Sequence, residues 1–188
     1  MKKFLQPKSF AMFNKMIFRP LLLFFLFLSA LGFVPKTEKM ILYDGKTGAG
    51  YWYSCDKKKT QLYEKDKKLI AYINQSHFEC FGLYFDSKDF SRHSLVHFQA
   101  GMETKYAEDT LSLYVSLIDE KKNTTAFKKV MFRMLKGSTQ TYKVNLEELF
   151  LQDKRVDFTH INSVLFYVGS RRDSGFWGNV VVKDIWVE

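Results

Sequence analysis

The chain has 188 residues, 46% hydrophobic and 26% charged, with 19 Phe, 10 Tyr, two Cys and three Pro. That length fits one domain, and the composition excludes collagen-like, proline-rich, cysteine-framework and disordered chains. Five of the 29 basic residues and none of the 20 acidic ones fall in the first 32 positions, so the formal charge of +9 drops to +4 beyond them. A nearly balanced surface of this kind is not the basic stripe of a nucleic-acid binder.

The first element in chain order is apolar. Leu21 to Val34 reads LLLFFLFLSALGFV, preceded by Lys2, Lys3, Lys8, Lys15 and Arg19. Such a run matches a secretory h-region and falls short of the ~20 residues that span a bilayer. Ala30-Leu31-Gly32 supplies the small residues a signal peptidase needs. The expectation is a secretory signal over 1–32, a short lead over 33–39, and a domain over 40–188 exported to the periplasm, the cell surface or the medium. The alternative is an uncleaved anchor, with membrane contact through this segment alone. Outside the cytoplasm two cysteines can pair; Cys55 and Cys80 read either as a disulfide or as two buried thiols.

Short alternating runs then follow one another with turn residues between them. Met40 to Asp44 precedes a turn containing Gly45, Gly48 and Gly50, and Tyr51 to Cys55 comes next. Thr60 to Glu64 and Lys68 to Ile73 flank Lys65-Asp66 as a hairpin. Cys80 to Phe85 leads into a polar connection over Asp86 to Ser94. Leu95 to Met102 and Thr110 to Asp119 are long strands. The second places Leu111, Leu113, Val115 and Leu117 on one face and Ser112, Tyr114 and Ser116 on the other. Lys129 to Leu135 and Thr141 to Leu146 pair around Gly137-Ser138, and Glu147 to Gln152 makes a helical turn. Val164 to Val168 and Val180 to Val187 close the chain across a loop from Gly169 to Gly178. No long 3.6-residue period interrupts them. About ten strands of this kind describe an all-β protein, an antiparallel β-sandwich, with a closed barrel as the competing architecture.

Three stretches carry a resemblance. Phe81-Gly82-Leu83-Tyr84-Phe85 leads through Asp89-Phe90-Ser91 to Leu95-Val96-His97-Phe98. Tyr142-Lys143-Val144-Asn145-Leu146 leads to Phe158-Thr159-His160-Ile161, and Gly178-Asn179-Val180-Val181-Val182-Lys183-Asp184-Ile185 closes the domain. Their order resembles the β-jelly-roll carbohydrate-binding modules and the wider galactose-binding-like sandwiches. The resemblance implies a jelly-roll fold and a non-catalytic binding role, with a glycan or cell-surface polymer as partner. It also implies a structural calcium near the last strand, to which Asp44 and Asp184 could lend oxygens. Lys183 stands where relatives carry an acid, and its ammonium opposes a cation there.

Catalytic templates are absent. His77, His93, His97 and His160 lack metal-ligand spacing, there is no nucleophile elbow or phosphate loop, and Glu147-Glu148 read as solvated. A glycan-active hydrolase with dispersed carboxylates stays open, because such partners meet only in space. For binding, alternation turns Tyr84, His97, Gln99, Tyr114, Arg133 and Tyr167 away from the core, as one aromatic and polar sheet face or as two separate ones. The loop with Arg171, Arg172, Phe176 and Trp177 is a second candidate, because loops at sandwich ends often hold ligands. Trp52 reads as core. A sheath-like surface-assembly protein, binding other envelope proteins, is the competing function.

Overall fold

The computed structural model describes residues 38–46, 50–76, 78–103, 110–126, 130–170 and 176–188. The expected signal segment 1–32 lies outside them, as do Gly48, His77, Arg171 and Arg172. Within them the strands are β1 (Met40–Tyr43), β2 (Gly50–Ser54), β3 (Thr60–Lys65), β4 (Lys68–Ser76), β5 (Phe78–Lys88), β6 (Leu95–Glu103), β7 (Thr110–Asp119), β8 (Met131–Leu135), β9 (Thr139–Asn145), β10 (Ile161–Gly169) and β11 (Phe176–Val187). One short helix, α1 (Leu146–Gln152), follows β9.

The strands form two antiparallel sheets. One has the order β3-β4-β11-β6-β9, with β1 also paired to β11; the other has the order β2-β5-β10-β7-β8. In the first sheet β4 pairs with residues 176–182 of β11, and β1 pairs with residues 185–187 of the same strand. The last strand of the chain is therefore the centre of its sheet. Every strand turns alternate side chains inward. Leu69, Ala71 and Ile73 from β4 and Val96, Phe98 and Ala100 from β6 meet Phe81, Leu83, Val115 and Phe166 from the other sheet. This is an all-β sandwich whose core is the space between two half-apolar sheets.

Local chemistry sets the connections. The β3–β4 hairpin turns on Asp66 (φ 51°) and Lys67 (φ 61°), one residue beyond Lys65-Asp66, with Lys65 opposite Lys68. Two left-handed residues give the twist that a two-residue hairpin requires. Asp89 Oδ1 accepts from Ser91 N at 2.8 Å and Oγ at 2.6 Å, and Asp157 Oδ1 accepts from Thr159 N at 3.1 Å and Oγ1 at 2.6 Å. These Asp-Phe-Ser and Asp-Phe-Thr turns each drop a phenylalanine, Phe90 and Phe158, into the core. A 2.8 Å bond from Phe90 N to Phe158 O ties the two turns together. Asn145 caps α1 by accepting from Glu148 N at 3.1 Å. Glu147 and Glu148 occupy the exposed first turn of that helix. Cys55 and Cys80 form a disulfide with Cα atoms 5.4 Å apart, which fastens the end of edge strand β2 to β5.

Candidate binding face

The outer surface of the five-stranded sheet is aromatic, for a reason visible in its register. On β2, Trp52 turns inward against Tyr43, Phe81 and Phe166, so Tyr51 and Tyr53 face out. On β5 the same alternation exposes Phe78 and Tyr84, and on β7 and β10 it brings out Tyr114 and Tyr167 as register partners. Tyr51 stands opposite Tyr84 with ring centroids 5.0 Å apart. Phe78 stacks on Tyr167 at 5.4 Å and 22°, and lies 6.1 Å from Tyr114. Six rings thus spread over four adjacent strands.

Glycines make room for them. A Cβ on Gly82 would come within 2.7 Å of Tyr53 Cζ, so that ring lies directly across the β5 backbone. A Cβ on Gly169 would meet Phe78 at 3.4 Å and Tyr114 at 3.6 Å. The Tyr53 hydroxyl sits 2.9 Å from Ser163 Oγ, which donates to Leu83 O at 3.0 Å. Burial pushes the Tyr53 and Tyr167 hydroxyls up from the ordinary phenol value. Both stay protonated at neutral pH and can donate as well as accept. Ser112 lies in register with Arg133 at the far side of this face. The surface offers flat apolar rings bordered by hydroxyls and one guanidinium.

The residues expected from sequence divide between two faces. Tyr84, Tyr114, Arg133 and Tyr167 share this one. His97 and Gln99 lie on the outer face of the other sheet, on β6. His97 is only 4% exposed: it stacks on Trp186 at 4.8 Å and 7°, its Nε2 is 2.8 Å from Glu188 Oε1, and Lys39 Nζ covers the indole at 4.3 Å. These groups occupy one another. Trp177 is exposed on the same sheet, donating from Nε1 to Asn74 Oδ1. Phe176 is not a ligand-facing loop residue. It is 2% exposed and begins β11, whose alternation carries Phe176, Val180 and Val182 into the core. Tyr51, Tyr53 and Phe78 are members of the aromatic face that sequence reasoning missed. The alternation of Tyr51-Trp52-Tyr53 was the available sign for the first two, since an inward Trp52 obliges its neighbours to face out.

The donor set near the last strand does not fit a calcium ion. Asp184 sits in a β-bulge at φ 35°, with its Oδ2 3.8 Å from Lys183 Nζ, while Asp44 Oδ1 accepts from Lys46 N at 2.7 Å. Among the described residues no group of three or more His, Cys, Asp and Glu side chains could hold a metal.

Among the described residues Asp119 and Asp157 meet, beside Glu120, Lys121 and His160, in a cavity of about 200 Å3. Burial would raise the Asp119 carboxyl, but bonds from Asp157 N and from the Asn123 side chain and backbone outweigh it and hold it below the usual value. Bonds from the Thr159 side chain and backbone lower Asp157 likewise. Glycoside hydrolysis needs one carboxyl raised to serve as acid. Both members of this pair are lowered, and both are engaged in holding turns.

No family model matches the chain, and no curated protein matches it. Solved structures do match. A family 11 carbohydrate-binding module from Clostridium thermocellum, in complex with a β-1,3-1,4-mixed-linked tetrasaccharide, has a TM-score of 0.53 at 11% identity, covering 79% of this chain and 94% of that one. A family 29 carbohydrate-binding module complexed with mannohexaose has a TM-score of 0.50 at 12% identity, covering 80% and 90%. An exo-β-agarase has a TM-score of 0.56 at 12% identity over 79% of this chain, which spans only 24% of the agarase. The chain has the β-jelly-roll fold of these modules.

Proposed function

We propose that the protein is an exported, non-catalytic glycan-binding module that holds a neutral sugar chain on the outer face of its five-stranded sheet. The observation that carries this reading is the contiguous surface of Tyr51, Tyr53, Tyr84, Tyr167, Tyr114 and Phe78. A sugar ring has an apolar C–H face and a rim of hydroxyls. Tyrosine matches both, with a flat ring for the face and a protonated hydroxyl for the rim. The likeness in fold to modules solved with bound oligosaccharides supports the same reading.

The test is a glycan array followed by affinity measurements on variants. Tyr84→Ala and Tyr114→Ala should each weaken retention about tenfold, equivalent to about 1.4 kcal/mol. Trp177→Ala should leave it unchanged, because that ring is on the opposite sheet. Equal retention by all three variants would remove the aromatic face from binding. A blank array for the folded protein would favour the second reading, a surface-assembly component that docks envelope proteins. One observation speaks for that role: edge strand β8 carries Met131 at 49% and Leu135 at 44% exposure, and an apolar sheet edge invites pairing.

A further inference from the structure

Along one side of the sandwich the two sheets do not close. Among the described residues edge strand β2 pairs only with β5 and edge strand β3 only with β4, and an open groove runs between them. It has two lobes, of about 400 and about 390 Å3, that share Tyr51, Trp52 and Leu62 and so form one trough. Thr60 and Lys57 line one end and Glu64 the other. The groove carries a cation and an anion at opposite ends, with aromatic and aliphatic walls between.

One polar group in its lining is unaccounted for. Thr60 is 1% exposed, yet its hydroxyl has no hydrogen-bond partner, whereas the Trp52 indole meets the Tyr43 hydroxyl. Native interiors rarely leave such groups unmet, because each one forfeits the bond it made with water. A valine would fill the Thr60 position with the same shape and none of that cost. An unmet hydroxyl in a concave, aromatic-walled trough complements a ligand rich in hydroxyls and without net charge.

We propose that this groove is a second saccharide subsite, taking the next sugar residues of the same neutral chain that lies on the aromatic face. The inference rests on the glycan-binding reading above. Tyr51 and Tyr53 belong to both surfaces, facing out beside Tyr84 and Gly82 and also lining the trough. A chain laid on the face turns round the β2 edge into the groove. Trp52 forms the inner wall and Thr60 receives a sugar hydroxyl there.

The experiment measures dissociation constants for neutral manno-, gluco- and galacto-oligosaccharides, from disaccharides to octasaccharides, against the parent, Thr60→Val and Tyr84→Ala. Affinity of the parent should rise with length. Thr60→Val should leave the short oligosaccharides unchanged and weaken the longest about tenfold, while its thermal stability holds or rises. With Trp177 and Trp186 replaced by Phe, the longest oligosaccharide should also shift the emission of Trp52. If Thr60→Val binds every length as the parent does while Tyr84→Ala is weakened, the groove is no subsite and the aromatic face stands. If the parent retains no oligosaccharide at all, both readings fall. Retention of an extended peptide along β2 or β3 in place of sugars would likewise overturn the assignment.

Discussion

Replacing Gly82 with alanine tests the packing that builds the aromatic face. The new Cβ would lie 2.7 Å from Tyr53 Cζ and Oη and 3.0 Å from Cε1, well inside van der Waals contact. The β5 backbone is held by β2 on one side and β10 on the other, so the ring must yield. Swinging out, it gives up its 2.9 Å contact with Ser163 Oγ, at about 1 kcal/mol. Forcing a methyl into a packed contact adds about 1–3 kcal/mol. Alanine recovers about 0.5–1 kcal/mol by restricting the unfolded chain. The net is a loss of about 2 kcal/mol, or about 4–8 °C in Tm for a domain of this size. Urea or thermal unfolding measures it, and a double-mutant cycle assigns it. In a Tyr53→Ala background Gly82→Ala should be neutral or mildly stabilising, giving a coupling of about 2 kcal/mol. The same destabilisation in both backgrounds would show that the ring is not what the glycine accommodates.

Lys67→Gly should stabilise the fold by about 1 kcal/mol in equilibrium unfolding, because Lys67 adopts φ 61° and L side chains resist that region. Cys55→Ser with Cys80→Ser should cost about 3.5 kcal/mol in the same assay, from the loop-closure entropy of a 25-residue separation. Asp119→Ala should cost about 3 kcal/mol, since it strands the N–H donors of Asn123 and Asp157 that now bond to its carboxylate. The pH dependence has a definite sign. Asp119 is lowered in the folded state, so its stabilisation is complete above the unfolded carboxyl value of about 3.9 and is lost as pH falls through the folded value. Asp119→Asn should flatten that acid limb of the stability curve, and an unchanged limb would refute the assignment.

The strands were legible in the sequence because each carries its own period-two pattern, most plainly from Leu111 to Leu117. What alternation cannot say is which sheet a strand joins. Tyr114 and Gln99 both point outward, yet they lie on opposite surfaces of the sandwich, because β7 and β6 belong to different sheets. That membership depends on pairing partners far away in the chain. Phe176 was misplaced for a local reason. The glycine-flanked segment from Gly169 to Gly178 reads as loop, although β11 already begins inside it. A bulge also hides a period: the register slips at Asp184 against β6, so Val182 and Ile185 both point inward and Trp186 outward. The groove between β2 and β3 left no trace in the pattern, since it arises where two edge strands stand apart.

The central position of β11 fixes the order in which this molecule can be assembled. Among the described residues β1 has no neighbour but β11, while β4 and β6 meet only through it. Glu188 O then accepts from Ser94 N at 2.7 Å and Leu95 N at 2.9 Å, which fastens the far end of that strand to the start of β6. A ribosome delivering the chain from its N-terminus can release the β3–β4 hairpin early, but the six-stranded layer stays in separate pieces until residues 176–188 emerge. Folding therefore waits for the whole domain to be synthesised, and the long-range pairing it then requires is intrinsically slow. Until that moment β1, β4 and β6 lack the strand that joins them, and the core beneath their sheet is unfinished.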